Sequence, residues 1–166
     1  MQQLRAQATE ASGVPYSAVE EARSANLYNR LGWQTFCALS EEFYRRVYSD
    51  EQWFRSIFAN TTREAAARNQ REFLAQEFGG PALYKERKGH TAIIGRHGPY
   101  AVDARAAERW LQHMHAAVLT VVKERDVQML MINYFKHMAW YIVFGKQLVN
   151  GMRTVGYYGK HTEGQL

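Results

Sequence analysis

Residues 61–81 read TTREAAARNQREFLAQEFGGP, and this stretch decides the fold class. Thr61 and Glu64 stand three apart, the spacing at which a hydroxyl and a carboxylate satisfy the free amides that begin a helix. Gly79-Gly80-Pro81 ends it, because glycine takes the left-handed geometry of a helix stop and proline has no amide to continue one. Between these signals Ala66, Gln70, Phe73, Leu74 and Phe78 recur at steps of three and four, the period of one helix face. That face is apolar except for Gln70, a side chain with two donors and an acceptor carried inward among hydrocarbons.

The same periodicity extends in both directions. Towards the N-terminus, WQTFCALSEEFYRRVY (33–48) places Phe36, Leu39, Phe43 and Val47 on one face, and EQWFRSIF (51–58) has the length of a short tight helix. Before them Ser17 and Glu20 offer another capping pair, predicting a first helix from Ser17 to Leu31 that stops at Gly32. The opening dozen residues are polar and are expected to fray. Towards the C-terminus, a helix from Asp103 carries Trp110, Met114, Ala117 and Val121 on one face. A last helix, from about Asp126 to Asn150, turns Leu130, Tyr134, Met138, Tyr141, Ile142 and Leu148 inward. No strand pair is evident, so the expected class is all-α.

Residues 80–102 break this regularity with several glycines and two prolines. A long irregular segment in a compact domain is functional or disordered, and Leu83, Tyr84, Ile93, Ile94, Tyr100 and Val102 argue against disorder. Such a segment needs a surface to pack on, and a bound cofactor would supply one. His97 stands in it, between Arg96 and Gly98 and just before Pro99, at the end of a short element.

The chain has 166 residues, 46% hydrophobic and 13% aromatic, with formal charge +5. This suits one domain with a substantial core. No apolar run is long enough for a bilayer, and MQQLRAQATEASG lacks the apolar stretch of a signal peptide. A soluble, cytoplasmic chain that needs no membrane is expected. The basic residues are interspersed with acids, as in YKERKGH and FYRRVY, which describes a solvated surface rather than a nucleic-acid face. The single Cys37 permits no internal disulfide and reads as a lone buried thiol.

Common catalytic patterns are missing. FGGPAL follows no strand and is not a dinucleotide fingerprint, no phosphate loop is present, and His113 and His115, two apart on a helix, point to different faces. What remains is His97, Gln70, and the pair Tyr44 and Trp110, each of which brings one donor towards the inside. Singly, each has an ordinary explanation as core filler or as a tie to backbone. Together they describe a pocket with an apolar wall, one metal ligand and a few convergent donors.

These residues also carry a family resemblance. From about Leu27 to Asn150, Phe43-Tyr44 on the second helix, Phe58 after the short third, Gly79-Gly80-Pro81 after the fourth, Arg96-His97 before the long helices and Trp110 near the start of the next resemble the group II truncated hemoglobins, in particular those of plants and green algae. The resemblance implies a globin-like two-over-two helical sandwich around haem b. Residues 1–26 would form an N-terminal extension, 27–150 the globin domain and 151–166 a flexible tail. His97 would be the proximal iron ligand through Nε2, its other nitrogen held by a nearby acceptor. Arg96 would lie near a propionate, with Tyr84 and Lys88 in a similar role, and Phe58 would pack on the haem face. Tyr44, Gln70 and Trp110 would surround the ligand, with Ala66 where most globins have a distal histidine. Phe73, Leu74, Ile94, Tyr100, Val102, Met114 and Tyr141 would complete the pocket. Asn69 stands where many relatives have a basic residue.

The implied function is binding of oxygen, nitric oxide and carbon monoxide. Three preorganised donors would stabilise a ligand that gains negative charge on binding, too firmly for bulk oxygen transport. That favours nitric oxide or peroxide chemistry, or sensing. Turnover would require an external reductase, since no flavin or nicotinamide site is legible. A monomer or weak homodimer is expected. The open alternative is a non-haem helical interaction module in which Tyr44, Gln70 and Trp110 are core and the basic surface is the working feature.

Overall fold

The structure is a computed structural model that describes residues 1–161. These form ten α-helices: α1 Gln2–Ser12, α2 Tyr16–Ser24, α3 Leu27–Leu31, α4 Trp33–Tyr48, α5 Gln52–Arg55, α6 Arg63–Glu77, α7 Leu83–Lys88, α8 Ile93–Arg96, α9 Ala104–Val121 and α10 Arg125–His161, with a 3-10 turn at Ser56–Phe58 between α5 and α6. No strand occurs among the described residues. Helix α4 packs along α6, α9 along α10, and α4 crosses α9. This is the two-over-two sandwich, and its shared core is built from Phe36, Leu39, Phe43, Val47, Leu74, Ala75, Phe78, Met114, Val118 and Met131. No helix among the described residues is long and apolar enough to cross a membrane.

Several boundaries differ from the sequence reading. The opening residues are not frayed. They form α1, whose Leu4 and Ala8, one turn apart, are buried against α10. The next helix starts at Tyr16 behind Pro15 rather than at a Ser17 cap, because a proline with φ −72° already sets the entry to a helix. It does not run on to Leu31. Asn26 adopts φ 52°, a left-handed conformation asparagine tolerates, and splits it into α2 and α3.

The split has a packing reason. The end of α6 docks there: the Tyr28 amide donates to the Phe78 carbonyl at 3.0 Å. A Cβ on Gly79 would stand 2.8 Å from Asn26 Oδ1, and one on Gly80 2.6 Å from the Tyr28 ring. Gly79-Gly80 is therefore a helix stop and also a close-approach surface. At the other end of α6 the cap is Thr62, not Thr61, its hydroxyl accepting from the Ala65 amide.

Three further expectations need correction. Leu148 is exposed rather than inward, since α10 has by then passed the end of the sandwich. Cys37 is only half-buried. Helix α10 runs to His161, past the Asn150 end expected for it, while 162–166 lie outside the described residues.

The N-terminal helices are wired to the core. Arg23 of α2 pairs with Glu77 at the end of α6 and donates to the Tyr16 hydroxyl at 3.0 Å. Glu77 in turn accepts from the Tyr134 hydroxyl at 2.9 Å. His137 is fully buried and donates Nδ1–H to the Val14 carbonyl at 2.9 Å.

Candidate functional site

The sandwich encloses a cavity with about 1330 Å³ of empty space including its open mouth, walled by α4, α6, α9, α10 and the 80–102 segment. Each candidate side chain reaches it from a different element. Helix α4 turns Tyr44 inward, and a T-shaped contact with Phe43 (4.9 Å, 84°) and another with Phe58 (6.0 Å, 83°) fix its ring. Burial pushes the Tyr44 hydroxyl above its ordinary pKa, so it stays an O–H donor at neutral pH. Helix α6, started by Thr62, presents Ala66 and then Gln70 one turn later, with Phe73 and Leu74 beyond. The Gln70 Oε1 is buried without a hydrogen-bond partner. Helix α9 brings Trp110, wedged between Phe43 (5.0 Å) and Phe135 (5.5 Å).

The rotation of α9 is set outside the cavity. Asp50, with a side chain only 4% exposed, accepts from Arg109 Nε at 2.7 Å and Nη2 at 2.5 Å, and from His113 Nε2 at 2.5 Å. The Arg109 guanidinium first, and His113 after it, hold this carboxyl well below the usual carboxylate range despite its burial. Arg109 precedes Trp110 directly, so the pair clamps the helix turn that aims the indole. His113 also packs on Phe54, a cavity-wall ring, at 5.5 Å. No group of three or more His, Cys, Asp or Glu side chains placed to hold an ion occurs among the described residues.

On the 80–102 wall of the cavity, α8 is capped by His97. The ring donates Nδ1–H to the Ile93 carbonyl at 2.7 Å. A carbonyl only accepts, so the proton is on Nδ1 and Nε2 keeps its lone pair. Desolvation lowers the His97 pKa, with Ile93 opposing and Lys146 assisting, so the ring is neutral at pH 7. Arg96 also lines the cavity and donates to the His90 carbonyl at 3.2 Å and to the Lys88 carbonyl.

Of the sequence candidates, the structure brings His97, Tyr44, Gln70, Trp110, Phe58, Ala66, Phe73, Leu74, Tyr84, Arg96, Tyr100 and Val102 to this one cavity. Four stand elsewhere. Met114, one turn past Trp110, is sealed in the core. Ile94 points at Gly145 of α10. Tyr141 faces the N-terminus, its hydroxyl 3.7 Å from Met1 Sδ. The Lys88 side chain is exposed, and only its carbonyl is used nearby. The wall also includes Ile57, Ile93, Ala107, Phe135 and Ala139, which sequence reasoning missed. Small residues at 106 and 107 could have signalled the close approach of α9. Asn69 lines the cavity and accepts from Arg87 Nη2 at 2.6 Å, while Arg87 is held by Glu72 at 2.6 Å. A cation from α7 thus stands beside Asn69 at the cavity wall.

The bacterial-like globin family matches residues 26–142. The chain is 47% identical over 152 residues to two-on-two hemoglobin-3 of Arabidopsis thaliana, covering 90% of this chain and 87% of the relative. It belongs to the group II truncated hemoglobins. It is similarly 47% identical to group 2 truncated hemoglobin 3-1 of Lotus japonicus, over 90% of each chain. Among solved structures, a hemoglobin from the thermophilic phototrophic bacterium Chloroflexus aurantiacus aligns with TM-score 0.65 and 36% identity, covering 69% of this chain and 94% of that one.

Haem is the cofactor of this globin family, and the residues present fit it. The cavity is apolar over most of its wall. His97 offers a neutral Nε2 whose partner nitrogen is already tied to backbone, the second hydrogen bond that metal-binding histidines use. In the same cavity the Gln70 Oε1 is buried with no hydrogen-bond partner. A buried polar atom left unpaired costs about 1–3 kcal/mol, so this side of the cavity is built for a polar guest. Gas-ligand binding through haem follows for this truncated hemoglobin, and the reading as a non-haem module gives way.

Proposed function

We propose that this globin retains oxygen tightly and serves nitric oxide dioxygenation, peroxide reduction or ligand sensing rather than carrying oxygen in bulk. The observation behind this is the convergence of Tyr44, Gln70 and Trp110, from three helices, on one largely apolar cavity. Haem b, when bound, supplies an iron that takes a diatomic ligand and changes oxidation state. His97 would hold the iron through its free Nε2, and Ala66, a methyl group, would offer no competing ligand. Phe58 and Tyr100, which line the cavity, would pack against the group, and Arg96 and Tyr84 would stand near its carboxylates.

The rest is done by side chains of this chain. Tyr44 O–H, Trp110 Nε1–H and the Gln70 amide are donors fixed before the ligand arrives, so stabilising developing negative charge requires little reorganisation. Each such bond contributes roughly 1 kcal/mol, or about five-fold in ligand retention. The aromatic wall of Phe54, Phe58, Phe73 and Phe135 keeps competing water out, which strengthens those bonds. Conversion of nitric oxide and oxygen to nitrate consumes one electron per turnover, which an external reductase has to supply. The chain would work as a monomer or weak homodimer in the cytoplasm.

The test is anaerobic reduction of the haem-loaded protein, followed by oxygen, carbon monoxide and nitric oxide titrations with kinetics. Slow oxygen release, together with one nitrate formed for each nitric oxide added to the oxygenated protein, is expected. Fast release and no nitrate would contradict the proposal.

A further inference from the structure

Helix α10 meets the segment that carries His97 with two consecutive residues. Gly145 is buried, and a Cβ there would collide with the Ile94 side chain, so α8 seats its aliphatic ridge on the α10 backbone. The next residue, Lys146, sends its ammonium into the turn that follows His97. Nζ donates to the His97 carbonyl at 3.0 Å, to the Gly98 carbonyl at 3.5 Å and to the Tyr100 carbonyl. Three acceptors aimed at one point suit a cation with three rotatable donors. Helix α8 is only four residues long, and the Gly98 and Pro99 that follow it are exposed.

We infer that Lys146, seated by Gly145, is a positioning residue for the iron ligand. The inference rests on the reading of His97 as that ligand. The His97 ring is held at Nδ1 by Ile93, within α8 itself. That bond fixes the ring relative to α8 but not α8 relative to the cavity. Lys146 supplies the missing reference, because it grips the His97 main chain from a long core helix that also lines the cavity through Met138 and Ile142. The direction in which Nε2 is presented then depends on α10. Partners of this kind, one shell away from a ligand, tune the geometry and strength of the metal bond without touching the metal.

The experiment uses the haem-loaded full chain, with Lys146→Met, Lys146→Arg, Gly145→Ala and, as an exposed neighbour, Gln147→Met. Two readings are taken: the iron–histidine stretching band of the reduced, ligand-free protein by resonance Raman, and the rate of haem loss to excess apomyoglobin. Lys146→Met should shift or broaden the band and speed haem loss about five-fold or more, the effect of a lost hydrogen bond. Gly145→Ala should act in the same direction. Lys146→Arg, which keeps cationic donors, should restore most of the wild-type band, and Gln147→Met should match wild type. An unchanged band in Lys146→Met overturns the inference even if its melting temperature falls, since that result describes a fastener only. If Lys146→Met fails to fold, Lys146→Gln, which keeps a single amide donor group, is read by the same criterion. A wild-type protein with no iron–histidine band would overturn the proximal assignment itself, and this inference with it.

Discussion

The His97 ring gives its Nδ1–H to the Ile93 carbonyl oxygen, 2.7 Å away and one helical turn back. That single bond decides the tautomer, leaves Nε2 as the only nitrogen able to take a metal, and fixes the ring against rotation. His90, seven residues earlier, is exposed, and its Nδ1 only accepts a long bond of 3.4 Å from the Ala92 amide. His97→Ala should therefore lose haem or hold it loosely, whereas His90→Ala should keep a normal Soret band. Haem titration of the two variants checks this, and a colourless His90→Ala would reverse the assignment.

Ala66 and Gln70 face the cavity from successive turns of α6, and neither is an effective ligand for ferrous iron. The reduced, ligand-free protein should show a five-coordinate, high-spin spectrum. Ala66→His places an imidazole where the methyl now stands and should produce a low-spin, six-coordinate component. Optical spectra of the two reduced proteins decide the point.

Asp50 ties Arg109 and His113 to the α4–α5 corner, and its carboxyl is held well below the ordinary 3.8. A carboxylate with a depressed folded-state pKa contributes stability that is fully present above the unfolded value and is lost as pH falls through the folded one. Asp50→Asn should thus melt several degrees lower than wild type at pH 7, with the gap narrowing only once pH falls below the ordinary carboxylate value and closing as the depressed folded value is reached. Thermal melts across that range test the prediction. The variant should also release oxygen at an altered rate, since Arg109 sets the turn that carries Trp110.

Helix α1 is held through Leu4 and Ala8 on α10. Removing residues 1–12 uncovers that strip and should cost about 2 kcal/mol, the burial of one leucine. The Soret position should not move, because α1 does not line the cavity. Urea unfolding of the haem-loaded protein, paired with its absorption spectrum, separates the two effects.

The core helices were legible because their apolar residues recur at helical spacing, as Phe36, Leu39, Phe43 and Val47 do on α4. The ends were less legible. Ser17 and Thr61 each have cap chemistry, yet Pro15 sets one start through its fixed φ and Thr62 the other by accepting from the Ala65 amide. The break at Asn26 was hidden because its cause, the docked end of α6, lies some fifty residues away in sequence. Most of the candidate site was visible through the resemblance, and the geometry separates Tyr44, Gln70 and Trp110 from Met114 and Tyr141. Those two share a helical period with cavity residues but lie a fraction of a turn off the cavity face. Gly145 and Lys146 gave no sequence signal, because a lysine on a long helix ordinarily points to water.

The central claim is that three side chains from α4, α6 and α9 share one bound ligand. Oxygen release measured by stopped flow from wild type, Tyr44→Phe, Trp110→Phe and the double variant tests it most directly. Trp110 has only a donor to offer, so Trp110→Phe should speed release by about five-fold. Tyr44→Phe should also change the rate. Since one donor can reorient when another is deleted, the double variant should depart from the product of the two single effects. Four rates that agree within experimental error would mean that these side chains do not touch the ligand, and the distal site described here would be wrong.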